Sequence, residues 1–386
     1  MQIYLDYSAS TPIRSEAIAA MHAAMTQHWG NPSSLHYWGN RSATALERSR
    51  QQVAELINAA SSETITFTAG GSEANNLAIA GIARTYTRPQ HLIISDVEHS
   101  AISNPAQRLA DRGWQVTRLP VDPQGAVDPQ QLIAAIQPNT VLVSVIYGQS
   151  EVGTLQPIAD LGAIAQSRGI LFHTDAVQAA GRLPIDVQQL PVDFLSLSSH
   201  KIYGPQGAGA LYIKPGSLRP CPIIDGGGQE QGLRSGTQAL PSIVGFGVAA
   251  ELAAQEMPAE TVRLIHLRDR LFSLLSDTDA LEPTGHPRHR LPHHVSFCLP
   301  RTGVTGKALV RQMNLAGIGI SAGSACHSGQ LSPSPILQAM GYSDRAAKSG
   351  IRLTLGRHTS EADIDWTALV LKQVLARALA AAPVGV

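Results

Sequence analysis

The sequence predicts an α/β fold, with a mostly parallel seven-stranded sheet in a large domain and a smaller α/β domain beside it. Three observations carry that expectation. Short apolar runs alternate with amphipathic stretches from about Ser61 to Ile213, the rhythm of strand-helix units that feed a parallel sheet. The character changes after Gly226-Gly227-Gly228, where a long helical stretch follows. The chain also has 386 residues, more than the roughly 250–300 at which a single core stops growing.

Taken in order, the strands expected in the large sheet are Thr64–Thr68, His91–Ser95, Val116–Leu119, Thr140–Val145, Ile170–Thr174, Phe194–Leu197 and Ala208–Ile213. Between them, Ser72–Tyr86 carries apolar residues at helical spacing, and Ile158–Arg168 ends at Gly169, a natural helix C-cap. Past the glycines, helices are expected over Leu240–Glu256 and Glu260–Ser276. A Pro/His/Arg-rich connection, Pro283–Pro292, then leads into a strand at His294–Leu299. These changes place the large domain at 15–250 and the smaller one at 1–14 plus 251–386.

Composition narrows the function. Lys plus Arg equals Asp plus Glu at 29 each, so no net field draws the chain to nucleic acid or to an anionic membrane. The N-terminus has neither a basic nor an apolar leader segment, and no apolar run approaches the ~20 residues that span a bilayer. The three cysteines, Cys221, Cys298 and Cys326, are far apart, without the paired spacing of a zinc site or a disulfide framework. A reducing cytoplasm is the expected compartment.

In open α/β sheets ligands sit outside the carboxyl ends of the strands, so polar residues directly after strand runs are the first candidates. Thr68-Ala69-Gly70-Gly71-Ser72 runs from a strand through two glycines into a helix whose free N–H groups suit a phosphate. An ordinary turn capped by Ser72 would look the same, and the segment lacks the lysine of a nucleotide P-loop. Asp175 ends another strand and is followed by Ala176-Val177-Gln178. Its carboxylate can pair with a protonated pyridine nitrogen or simply cap a helix. Lys201 follows a strand in Ser198-Ser199-His200-Lys201, and a lysine of lowered pKa forms Schiff bases, although a lone lysine is more often a solvated charge. His99, after Glu98, can stack on a planar ring and exchange protons, or be structural.

Cys326 sits among small residues in Ser321-Ala322-Gly323-Ser324-Ala325-Cys326-His327-Ser328-Gly329, a run that presents a thiol on a loop. Cys298, inside Val295-Ser296-Phe297-Cys298-Leu299, reads as a buried small hydrophobe. The run from Gly285 to His294 holds four histidines, but prolines and arginines interrupt it, so no metal is expected there.

Together these segments resemble the cysteine desulfurases of the NifS/IscS type, in the class V aminotransferase group of fold-type I PLP-dependent transferases. The resemblance extends from Tyr4-Leu5-Asp6-Tyr7 to Ile351-Arg352-Leu353-Thr354 and is most specific at Ser199-His200-Lys201-Ile202-Tyr203-Gly204-Pro205, Asp175-Ala176-Val177-Gln178, Arg234-Ser235-Gly236-Thr237 and Ser324-Ala325-Cys326. It implies a pyridoxal 5'-phosphate cofactor attached to Lys201, with Asp175 at the pyridine nitrogen, His99 stacked on the ring and Gln178 near the phenolic oxygen. Gly71, Ser72, Ser198 and His200 would hold the phosphate, with Thr237 serving the neighbouring subunit of a homodimer. Asn31 and Arg352 would bind the carboxylate of L-cysteine.

Two departures from the family pattern stand out. Gln149-Ser150 replaces two asparagines, which leaves Ser150 where an amide would meet the phenolic oxygen, and His327 replaces the threonine after the cysteine. The implied reaction converts L-cysteine to L-alanine while Cys326 receives the sulfur as a persulfide, for a protein acceptor such as an iron–sulfur scaffold. Two other readings compete: a PLP-dependent cysteine, cystine or selenocysteine lyase without an obligatory persulfide, and a non-catalytic docking subunit.

Overall fold

The computed structural model describes residues 2–323 and 332–381. In chain order the strands are β1 (Ile3–Tyr4), β2 (Ile65–Thr68), β3 (His91–Ser95), β4 (Gln115–Leu119), β5 (Thr140–Ile146), β6 (Leu171–Asp175), β7 (Phe194–Ser198), β8 (Gly209–Ile213), β9 (Glu282–Pro283), β10 (His294–Cys298), β11 (Ile318–Gly319), β12 (Ser321–Ala322) and β13 (Ile351–Thr354). Seven of them form one sheet in the order β2-β8-β7-β6-β5-β3-β4. The pairs from β7 to β4 run parallel, while β8 is antiparallel to both β2 and β7. Each expected large-sheet strand is present, with ends shifted by a residue or two.

The inner parallel strands β3, β5, β6 and β7 are buried on both faces, which explains why they read as continuous apolar runs rather than alternating ones, while edge strand β4 is largely exposed. β3, β6 and β7 have almost no exposed side chain. Helices Gly71–Ala83 and Ser100–Ala110 pack a core on one face through Leu77, Ile82, Ile102 and Leu109. The other face is covered by a core that includes Val53, Leu161, Ile243 and Phe246.

A four-stranded sheet in the order β12-β13-β10-β9 carries a separate apolar core with Val295, Phe297, Leu353 and Leu371. The first residues of the chain join this region: β1 pairs in parallel with β11, and Asp6 bridges to Thr354.

The two helices expected over Leu240–Glu256 and Glu260–Ser276 are one helix, Leu240–Leu275, with Pro258 inside it. Proline has no N–H to donate back to the carbonyl four residues earlier, which makes a break the local expectation. Tertiary packing overrides it. Ile243, Phe246 and Ala250 lie in one core, and Leu264, Leu267 and Leu271 lie in the other, so both ends of the helix are held. Among the described residues no helix is long and apolar enough to cross a membrane.

Candidate active site

The carboxyl ends of β2, β3, β6 and β7 open on a cavity of about 690 Å³, whose far side is built by Asp6, Ser8, Ser321 and Arg352. That is within the range of cofactor pockets. The cavity brings together Gly71, Ser72, His99, Ser150, Asp175, Gln178, Ser198, His200, Lys201 and Arg352.

At the end of β2 the chain turns through Gly70, whose φ of 154° disfavours any residue with a side chain, into the helix beginning at Gly71. A Cβ at Gly71 would stand 2.7 Å from Val177 Cγ2 and 3.3 Å from Ser198 Cβ. The absence of a side chain therefore lets the helix start press against the segments that carry Asp175 and Lys201. The first turn of a helix leaves backbone N–H groups without helical partners. With Ser72, Ser198 and His200 beside it, this end of the cavity is a donor-rich seat for a phosphate. Burial, reinforced by the Lys201 charge, pushes His200 down to about 4. The His200 ring is therefore neutral near pH 7, and its Nδ1 lies 3.2 Å from Ser10 Oγ.

Asp175, the last residue of β6, accepts from Asn75 Nδ2 at 2.6 Å and from the Val177 N–H at 3.0 Å. Its carboxyl oxygens thus line the cavity in a fixed position, where they can meet a cationic ring nitrogen. Lys201 ends the short 3₁₀ turn after β7, and its Nζ donates to the carbonyls of Ser8 and Ala9 at 2.7 and 2.8 Å. His99 caps helix Ser100–Ala110 by accepting the Ala101 N–H at Nδ1, 3.1 Å. A nitrogen that accepts cannot carry the proton, so Nε2 bears it in the neutral ring.

Two polar atoms at the cavity, Gln178 Oε1 and Asn75 Oδ1, are buried without a hydrogen-bond partner among the described residues. Buried polar atoms cost stability unless satisfied, which suits a site completed by a polar group. Helix-start donors, a carboxylate and a lysine amine lining one cavity fit pyridoxal phosphate. Gln149 takes no part, because its Oε1 accepts from the Glu151 and Val152 N–H groups and its Nε2 donates to the Val97 carbonyl. Of the two departing residues, only Ser150 lines the cavity.

Thr237 and Asn31 are exposed and outside the cavity lining, Asn31 accepting the Ser33 N–H at 2.9 Å. Cys326 and His327 lie outside the described residues. The sequence reading missed Asp6, Ser8 and Asn75. Asn75 carried a usable signal, one helical turn past Gly71 and so on the same helix face. Asp6 and Ser8 carried none, because their roles depend on partners far along the chain.

The class-V aminotransferase family profile matches residues 3–366. Cysteine desulfurase IscS of Dictyoglomus turgidum is 42% identical over 376 residues, covering 97% of this chain and 94% of that protein. The chain belongs to the cysteine desulfurases of the class-V aminotransferase family. The human cysteine desulfurase is likewise 42% identical, over 95% of this chain and 80% of its own length. Among solved structures, a NifS-like protein superposes with a TM-score of 0.90 at 32% identity, covering 98% of this chain and 100% of its own. A structure described as SspA in complex with cysteine has a TM-score of 0.81 at 34% identity, covering 92% and 99%. The family's members depend on pyridoxal phosphate, in agreement with the cavity's donor set.

Proposed function

We propose that this cysteine desulfurase holds its cofactor on Lys201, binds L-cysteine through Arg352 and passes the substrate sulfur to Cys326. The observation that carries the reading is the meeting of Lys201, Asp175 and the Gly71 helix start in one cavity with Arg352 on the opposite wall. Pyridoxal phosphate supplies an electron sink for the substrate's Cα when bound. Everything else is asked of the chain.

Gly71, Ser72, Ser198 and His200 hold the phosphate, and Thr237, exposed here, serves the equivalent site of a second subunit. Asp175, held by Asn75, keeps the ring nitrogen protonated. Gln178 and Ser150 face the phenolic oxygen, and His99 stacks on the ring with its proton at Nε2. Lys201 Nζ, displaced by the substrate amine, is the base that takes the Cα proton. Arg352 and Asn31 receive the substrate carboxylate. The Cys326 thiolate forms a bond to the substrate sulfur as the Cβ–S bond breaks, the electron pair staying with carbon; that carbon takes up a proton to become a methyl group, and Lys201 returns a proton to Cα to complete L-alanine. The sulfur remains on Cys326 as a persulfide for a protein acceptor thiol, in a cytoplasmic setting consistent with the sparse, unpaired cysteines.

Cys298 is no rival for this role. It is fully buried, and burial pushes its thiol up to about 12, so it carries almost no thiolate near neutrality. Cys326→Ala is the deciding variant. The cofactor's visible absorbance should be unchanged, L-alanine production should fall nearly to background, and the added sulfur found on the wild-type Cys326 peptide should be absent. Sulfide release at the wild-type rate would replace this reading with a lyase that needs no protein persulfide.

A further inference from the structure

The histidine run from Gly285 to His294, where the sequence leads to no metal, has a structural use. Among the described residues no group of three or more His, Cys, Asp or Glu can hold a metal ion. Its last two members, His293 and His294, are fully buried at the start of β10. Burial first, then the charges of Arg290 and Arg352, hold His294 well below the usual imidazole range, so its ring is neutral with one donor and one acceptor nitrogen.

His294 Nε2 lies 3.1 Å from the Ser150 carbonyl oxygen. A carbonyl only accepts, so Nε2 carries the ring's proton. The ring lies against Gly153, where a Cβ would stand 2.7 Å from its Cγ and Nδ1, so only glycine leaves the ring this place. The same Ser150 carbonyl accepts Arg352 Nη1 at 3.0 Å. Arg352 Nη2 is tied to Asp6 at 2.7 Å, and Arg352 Nε is buried with no partner among the described residues. The guanidinium is therefore fixed at two corners, with N–H donors left over for a ligand.

We infer that His294 is a positioning residue for substrate: it fixes the Ser150 carbonyl, and that carbonyl sets the guanidinium of Arg352 against the carboxylate of L-cysteine. The inference rests on the reading of Arg352 as the carboxylate anchor. Ser150 thereby has two separate duties, its side chain toward the cofactor and its carbonyl toward Arg352. A guanidinium held at a fixed angle offers a planar fork to a carboxylate, and a loosened one loses that match.

The test uses the cofactor-loaded enzyme, with L-cysteine as substrate and with L-alanine and ethylamine as ligands, ethylamine being alanine without its carboxylate. His294→Leu should raise KM for L-cysteine about tenfold and weaken L-alanine binding by a similar factor, while kcat changes less than about threefold and ethylamine affinity stays as it was. His294→Gln, which keeps an N–H within reach of the carbonyl, should restore most of the loss. Should the leucine variant not fold, His294→Asn makes the same comparison, because its amide stops short of Ser150. An equal loss for L-alanine and ethylamine, or a fall in kcat alone, would overturn the inference. Arg352→Gln separates the two layers. If it abolishes the preference for L-alanine over ethylamine while His294→Leu and His294→Asn leave that preference intact, only the His294 inference fails; if it leaves the preference intact, the carboxylate role of Arg352 fails and the inference with it.

Discussion

Lys201 and Arg352 face one cavity, yet the chain brings them there by different routes. Lys201, Asp175, Ser198 and His99 each stand at a large-sheet strand end or a few residues past one, and the sheet itself sets their spacing. Arg352 lies within β13 of the other sheet, and its partners Asp6 and Ser150 are 346 and 202 residues away in the chain. The cofactor wall is thus fixed by strand register. The proposed substrate wall is held by long-range polar contacts and meets the other where the Ser8 carbonyl accepts Lys201 Nζ and Gln178 Nε2, so whether it loosens alone is tested at Arg352.

The largest expected effect lies on the first wall. Lys201→Ala removes both the attachment point and the proposed base, so activity should fall by at least about a thousandfold and the visible absorbance of the bound cofactor should disappear. Borohydride reduction of the wild-type protein should label the peptide containing Lys201. A label on Lys307 or Lys348 would remove the assignment.

Arg352→Gln probes the second wall. Losing a charge-assisted fork should raise KM for L-cysteine about thirtyfold while leaving the cofactor's absorbance as in wild type. If absorbance changes together with KM, the two walls are not separable and the comparison breaks.

The same contrast explains what could be read from the sequence. Lys201, Asp175 and His99 were legible because a parallel sheet forces ligands to its carboxyl edge, where a polar residue after an apolar run identifies itself. The inner strands were legible for the same reason, as both faces are covered. The unbroken helix Leu240–Leu275 was not, because the packing that carries it through Pro258 comes from two cores distant in sequence. Asp6, Ser8 and His294 were illegible as site residues too: a carbonyl contact from Ser8 to Lys201, or from Ser150 to His294, leaves no mark on residue type. The four histidines gave no sign of this use, since the burial of His293 and His294 beside arginines depends on distant partners.

A smaller effect is expected from Asn75, which reaches from the Gly71 helix to Asp175. Asn75→Leu would leave Asp175 with the Val177 N–H and one fewer buried donor. The carboxylate should then become a weaker partner for the ring nitrogen, and kcat should fall about tenfold with KM changed little. Asn75→Gln or Asn75→Asp cannot substitute, because the first is too long for a buried 2.6 Å contact and the second repels Asp175. A rise in KM alone, with kcat intact, would show that Asn75 acts on the substrate wall instead.

The smallest effect concerns Glu98, which joins β3 to β5 behind His99 and belongs to neither wall. Its Oε1 accepts from Ser95 Oγ and from the Ile146 N–H at 2.8 Å, while Oε2 is buried without a partner among the described residues. Burial, with the nearby Asp175 charge adding to it, pushes the carboxyl up to about 8 against the lowering effect of those two donors. Between about 4.5 and about 8 the folded chain keeps a proton that the unfolded chain releases. The folded state therefore loses stability as pH rises through that window and levels off above it. Glu98→Gln has no proton to lose, keeps an acceptor for Ile146, and places its NH2 group where Oε2 already lacks a partner. The two proteins should melt together near pH 5. By pH 8.5 the variant should be more stable by on the order of a few kcal/mol, seen as a melting temperature a few degrees higher. Parallel melting curves at both pH values would mean that Glu98 is ionised throughout, and that water or another donor reaches Oε2.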